Sequence, residues 1–197
     1  MAKPKVGMIG EGNVGTALAE GLRRAGYEVE TTGRDERRVR EVASRADVIV
    51  LAVPFGEREN AIRFMGADAL RGKILVDPTN ALTPEYDFAV EVKKQSGAEQ
   101  LQNKAPEAKV VKAFNTVFAD RMREGKVNGE PLSVLAAGDD EEAKDQVLKM
   151  AGALGFESVD AGPLQNARWL EAMGYLNIKL GYDQELGTEI GFRLVRV

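Results

Sequence analysis

The sequence predicts an α/β fold: a Rossmann-type, doubly wound, mostly parallel sheet with a short C-terminal helix-plus-strand tail. Three observations predict it. Short apolar runs alternate with helical segments along the chain, which is the pattern of βαβ units. The run 48–53 is apolar without a break, as in a strand buried on both faces of a parallel sheet. The first run opens directly onto a glycine loop, and a helical pattern follows at once.

The elements follow in order. A compact apolar strand is expected over 6–9. A helix follows over 14–25, with Val14, Leu18 and Leu22 on one face and Gly26 as its stop. A strand over 27–32 and a charged helix over 35–45 come next, then the buried strand over 48–53. Further strands are expected over 74–76, 110–114, 133–137 and 157–159, with a helix over 140–154 between the last two. The stretch 97–108 is the least patterned and reads as a helix. Pro163 suits the first turn of a final helix. Trp169, Met173, Leu176 and Leu180 are expected as its buried stripe, on the chain's own core or on a partner subunit. Ile190, Phe192 and Leu194 then alternate like a closing strand. The division expected is a dinucleotide-binding domain over 1–162, with 163–197 packed on it.

Composition narrows the chemistry. The chain has 197 residues, 29% charged and 44% hydrophobic, with a formal net charge of −4. That balance suits neither a nucleic-acid nor a membrane binder. No apolar run reaches the ~18 residues of a membrane span, and the N-terminus lacks the apolar stretch of a signal peptide. The expected location is cytoplasmic. There is no cysteine, so redox work would need a bound cofactor. There is no histidine either, which removes Ser-His-Asp catalysis and the commonest zinc sites. No metal site is expected.

Gly10-Glu11-Gly12-Asn13-Val14-Gly15 has the dinucleotide-binding pattern in its required setting. Gly10 permits the tight turn. Gly12 lets a pyrophosphate approach the backbone, and Gly15 lets the helix pack on the sheet. The helix N-terminus offers N–H groups and a positive dipole end to the phosphates. NAD-binding sheets carry Asp or Glu near the end of the second strand, about 20 residues on. Here that stretch reads Thr31-Thr32-Gly33-Arg34-Asp35-Glu36-Arg37-Arg38. Arg34 can meet a 2′-phosphate with a bidentate fork, Thr32 can add a hydroxyl, and Arg38 lies one helical turn further on. The expected cofactor is NADP. Glu30 and Asp35 remain candidates for an NAD ribose, and Arg37 and Arg38 could be a solvated helix face.

These segments, with Ala52-Val53-Pro54-Phe55, Asp77-Pro78-Thr79-Asn80, Val111-Lys112-Ala113-Phe114-Asn115-Thr116, Gly138-Asp139-Asp140-Glu141 and Asp160-Ala161-Gly162-Pro163-Leu164, carry a resemblance nearly end to end. The chain resembles the NADP oxidoreductases dependent on the deazaflavin coenzyme F420, and their relatives in the cytosolic domain of the STEAP ferric reductases. The resemblance implies that Glu11 to Val14 wrap the pyrophosphate and that Gly33, Arg34 and Arg38 hold the 2′-phosphate. It implies that Val53 and Pro54 border the adenosine side, and that Asn115 and Thr116, joined by Asn80, line the nicotinamide and acceptor pocket. The deazaflavin enzymes carry His where this chain has Asn115, whereas the ferric-reductase relatives resemble it in carrying Asn. The family also implies association, so a homodimer is expected.

Each residue also has a plainer role open to it. Val53 and Pro54 could be strand core and its stop, and Asn80 and Asn115 turn residues. Asp139, Asp140 and Glu141 read as a helix N-terminus, and Lys112 and Lys179 as surface or snorkelling lysines. No acid–base catalytic residue is expected. Hydride exchange between a nicotinamide and coenzyme F420, FMN or FAD needs mainly two rings held face to face. Three alternatives stay open: an NADPH-dependent flavin or ferric reductase, an NADP-binding regulatory module without turnover, and a carbonyl dehydrogenase using Lys112, Lys179 or Tyr175 as acid.

Overall fold

The computed structural model describes residues 3–83, 85 and 87–196. Met1, Ala2 and Val197, at the outer ends of the two expected units, lie outside the described residues. The core strand is β1 (Val6–Ile9), flanked in parallel by β2 (Val29–Thr32) and β3 (Val48–Leu51). Next along the sheet lie β4 (Ile74–Asp77) and β5 (Lys109–Lys112), also parallel. A two-stranded hairpin, β6 (Lys126–Val127) and β7 (Glu130–Pro131), then leads to β8 (Ser133–Gly138). β8 pairs antiparallel with β5, and β9 (Glu157–Asp160) pairs parallel with β8. The seven-stranded order is β2-β1-β3-β4-β5-β8-β9. Chain order reverses between β1 and β3, the crevice where open α/β sheets bind ligands.

Side-chain alternation splits the core in two. Val48 and Val50 face one side with Met8, Leu18, Leu22 and Val147, under α1 (Asn13–Arg24) and α6 (Glu141–Ala153). Ile49 and Leu51 face the other with Val42, Leu70 and Leu101, under α2 (Glu36–Arg45), α3 (Arg58–Met65), α4 (Ala67–Leu70) and α5 (Gly97–Lys104). Helices on both faces make the sheet doubly wound. Caps fix the helix starts: Asp35 accepts from Arg38 N, Asp140 accepts from Ala143 N, and Ser96 with Glu99 forms a capping box. Asp140 is therefore a helix cap, as its position suggested. The capping box is what makes the weakly patterned stretch at 97 a helix.

The final helix, α7 (Ala167–Ile178), turns the other way from the expected stripe. Trp169 is 61% exposed and Leu176 51% exposed. The buried positions are Ala167, Leu170, Glu171, Gly174 and Asn177. They keep the helical period on a different face. The reason is what α7 covers: Glu171 and Asn177 bond to polar groups at and after the end of β5, so the inward face is made of small and polar residues with one large apolar one, Leu170. A π-helical turn, Lys179–Asp183, follows. The rest of the tail runs beside β8 with one main-chain bond in place of a ladder, Ser133 N–H to Phe192 O at 2.9 Å. Leu194 N–H adds a bond to Ser133 Oγ at 2.9 Å. Among the described residues no helix is long and apolar enough to cross a membrane.

Candidate functional site

The glycine loop leaves β1 at Gly10, whose N–H donates to Thr32 O at 2.8 Å. Gly10 has φ 117°, and a Cβ there would stand 2.1 Å from Ala52 O. A Cβ on Gly15 would stand 2.0 Å from Gly10 O. The fold alone requires glycine at both places. Gly12 is different. Its φ of −76° is open to any residue, and a Cβ there would meet nothing within 4 Å. Packing gives no reason for glycine at 12; a ligand approaching the backbone does. Gly12 is also the N-cap of α1 and supplies no side-chain cap, so the first-turn N–H groups face outward unmatched. A dinucleotide pyrophosphate fits this cradle.

Beside the loop a cavity of about 560 Å³ opens at the β1–β3 crevice. It brings together Gly10, Glu11, Gly12, Gly33, Arg34, Val53 and Pro54. Sequence reasoning missed its far wall, made by Val39, Ala61 and Phe64 with Asn60 and Glu57 at the rim. Asn13, Val14 and Gly15 form the first turn of α1 directly after Gly12 and do not line this cavity.

The candidate charges separate cleanly. Asp35 is spent capping α2. Glu30 is held by Arg38 at 3.0 Å and by Arg45 at 3.3 Å. Arg38 is held by Glu30 and by Glu41 at 2.9 Å, which keeps its guanidinium protonated beyond its usual range. Thr32 is buried, and it does not line the cavity. Arg34 is exposed and makes no hydrogen bond or ion pair among the described residues. It is the cation left for a phosphate.

Two strands along, the ends of β4 and β5 form a second polar region. Phe114 has φ 69°, a conformation uncommon for a bulky residue, and turns the chain after β5. Asn115 follows. Its Nδ2 donates to Asn80 Oδ1 at 2.8 Å and to Leu170 O at 2.7 Å, while Asn80 Nδ2 donates to Asn115 O at 2.9 Å. Main-chain carbonyls thus fix both amide orientations, and Asn115 Oδ1 is left buried with no donor. Thr116 is buried, its carbonyl accepting from Asn177 Nδ2 at 3.2 Å. Gly174 of α7 closes over the pair; a Cβ there would stand 2.3 Å from Asn80 Oδ1.

Beneath lies a charge cluster the sequence did not reveal. Lys112, expected at the surface, is fully buried. Its Nζ donates to Asp77 Oδ2 at 3.1 Å, Thr79 O at 2.5 Å and Glu171 Oε1 at 2.9 Å. Those three acceptors use all three ammonium protons, so Lys112 has none to give a substrate. Arg58 completes the cluster, 3.3 Å from Asp77 and 3.0 Å from Gly97 O. Glu171 also accepts from Gly97 N and Ala98 N. Burial pushes the Asp77 carboxyl up, but Lys112, Arg58 and the Thr79 bonds outweigh it and hold it below the usual carboxylate range. Lys179 pairs with Asp183 at 2.9 Å, and Tyr175 stacks on Phe88. The one sequence signal for the cluster was a lone Glu171 among apolar positions of a helix.

Comparison with known proteins agrees with this geometry. Residues 5–81, from β1 to just past β4, match the family described as NADP oxidoreductase coenzyme F420-dependent. The metalloreductase STEAP3 of Rattus norvegicus is 37% identical over 183 residues, covering 86% of this chain and 36% of that protein. The chain spans about a third of the length of the curated relatives it matches. The structure of a candidate F420-dependent NADP-reductase from Arthrobacter sp. FB24 superposes with a TM-score of 0.89 at 29% identity, covering 98% of this chain and 100% of that one. An imine reductase from Pseudomonas sp. shares the fold alone, with a TM-score of 0.68 at 15% identity over 93% of this chain and 64% of that one. Over residues 5–81 the chain is thus similar to the family described as NADP oxidoreductase coenzyme F420-dependent, and the likeness to STEAP3 and to the Arthrobacter structure extends over most of its length.

Proposed function

We propose that the chain transfers hydride between NADP(H) and a flavin-like acceptor, with coenzyme F420 the first choice. The observation that carries it is the cavity at the chain reversal, with an unneeded glycine at 12 and an unpaired guanidinium at 34. In this reading Gly12 and the α1 N–H groups of Asn13, Val14 and Gly15 hold the pyrophosphate. Arg34 takes the 2′-phosphate, backed by Arg38, with the Thr32–Gly33 backbone shaping that corner. Val53 and Pro54 border the adenosine. Strand spacing of ~4.8 Å puts the end of β5 about 10–15 Å from the loop, within a dinucleotide's reach. There, on the same reading, Asn80, Asn115 and Thr116 shape the nicotinamide end, Asn80 half-buried and the other two buried. The bound nicotinamide supplies the hydride chemistry. The chain's own residues orient the ring and keep water out, and none acts as acid or base. Lys112 is no candidate acid, because its protons are all engaged.

A second reading is favoured by Asn115 and by the similarity to metalloreductases: NADPH-dependent reduction of a flavin that passes electrons to ferric iron. The test is oxidation of NADPH followed at 340 nm with coenzyme F420, FMN and FAD offered separately. Turnover with F420 alone supports the first reading, and turnover with FMN or FAD alone the second. Tight binding without turnover leaves a regulatory module. The segment 163–197 acts as part of the same unit as 1–162. Trp169 and Leu176 stand exposed on its outer face, with Met173 and Leu180 half-buried beside them, and this apolar surface is the one that an isologous homodimer contact would cover. A cytoplasmic location fits this role.

A further inference from the structure

Of the three charged residues that line the cavity, Glu57 accepts from Asn60 at 3.4 Å, and two, Arg34 and Glu11, have no partner among the described residues. Arg34 stands on one side of the corner after β2. Glu11, from the glycine loop, stands on the other. Neither the Glu11 carboxylate nor the Arg34 guanidinium has a partner among the described residues. Glu11 Oε2 lies 3.1 Å from where a Cβ on Gly33 would be. Its carboxylate therefore sits over the first residue past the end of β2. That is where NAD-binding sheets place the acid that accepts from ribose hydroxyls. In this chain the strand itself brings no free acid there, since Glu30 is paired and Asp35 caps a helix. The absence of a side chain at Gly33 leaves room for an acid delivered from the neighbouring loop.

We propose that Glu11 is a cofactor-selecting residue whose carboxylate accepts from a ribose with a free 2′-hydroxyl, so that the site takes NAD(H) as well as NADP(H). This rests on reading the cavity as the dinucleotide site. A 2′-phosphate meets attraction from Arg34 and repulsion from Glu11 in the same corner. A 2′-hydroxyl finds an acceptor in Glu11 and needs nothing from Arg34. The remaining charges nearby have partners: Arg38 is held by Glu30 and Glu41, and Glu57 accepts from Asn60 at 3.4 Å. Opposed charges of this kind give weak discrimination, whereas Arg34 without Glu11 would give strong discrimination.

The test is equilibrium titration of the full chain with NADPH and with NADH by calorimetry. The two dissociation constants are expected within about tenfold of each other. Glu11→Gln should tighten NADPH about tenfold and weaken NADH several-fold. Arg34→Ala should weaken NADPH about tenfold and leave NADH nearly unchanged, and Gly33→Ala, which crowds the carboxylate out, should shift the ratio in the same direction as Glu11→Gln. A wild-type preference for NADPH above about a hundredfold, or a ratio unmoved by Glu11→Gln, overturns the proposal and leaves the dinucleotide site standing. Binding of neither nucleotide overturns both.

Discussion

The two polar regions at the strand ends are built on opposite principles. At the end of β1 and β2, Arg34 and Glu11 are exposed, line one cavity and are unpaired among the described residues, with Val39 and Phe64 lining the same cavity. At the end of β4 and β5, Arg58, Asp77, Lys112 and Glu171 are buried and bonded to one another. The first region spends no protein hydrogen bonds on its charges, so they are available to a ligand. The second spends nearly all of them, so its charges hold α3, α5 and α7 to the sheet. The charges of this second region leave nothing over for a ligand; beside them, among the described residues, the neutral amide oxygen Asn115 Oδ1 is buried without a donor.

The sharpest break of this contrast comes from the buried cluster. Asp77→Asn leaves Lys112 and Arg58 short of a counter-charge, and chemical denaturation should show a loss of about 3–5 kcal/mol. The matching change in the open region, Arg34→Ala, should move stability by less than about 0.5 kcal/mol. The glycines divide the same way. Gly15→Ala puts a methyl against Gly10 O and should cost several kcal/mol, about 1–3 or more. Gly12→Ala should leave the melting temperature nearly unchanged yet weaken NADPH binding about tenfold. A result in which Gly12→Ala melts early and binds normally would reverse their roles.

Acidification offers a smaller effect of known sign. The Asp77 carboxyl is held below its unfolded value of about 3.9. Its contribution is therefore complete above about pH 4 and is lost as pH falls through the folded value. Thermal melts should carry no Asp77-dependent slope from neutral pH to about pH 4 and then fall, with the Asp77→Asn variant losing part of that fall. Smallest in stability terms is the outer face of α7. Trp169→Ser with Leu176→Ser should leave the fold intact and convert a dimer to a monomer in light scattering. A wild-type monomer would remove the homodimer.

How much was legible depends on how local the signal is. The glycine loop was readable because its chemistry lies within six consecutive residues. Arg34 was readable because a strand end and a helix start bracket it. Deciding which cation and which acid are free required coordinates, since Arg38 looks as able as Arg34 until Glu30 and Glu41 are seen to hold it. Of the two coverings expected for the α7 stripe, the chain's own core takes a different face, because periodicity gives the spacing of a stripe but not the polarity of what it covers. Lys112 was misjudged because its partners come from residues 77, 79 and 171.

By itself the sequence determined the alternation of strands and helices, the phosphate-binding loop and the absence of histidine and cysteine chemistry. These follow from patterns within a few residues, where backbone geometry and side-chain period act directly. Tertiary structure alone decided which charges pair, which face of α7 turns inward and that Glu11 reaches the corner of β2. Those outcomes depend on groups distant in the chain meeting in space, where desolvation makes pairing obligatory for some charges and leaves others free.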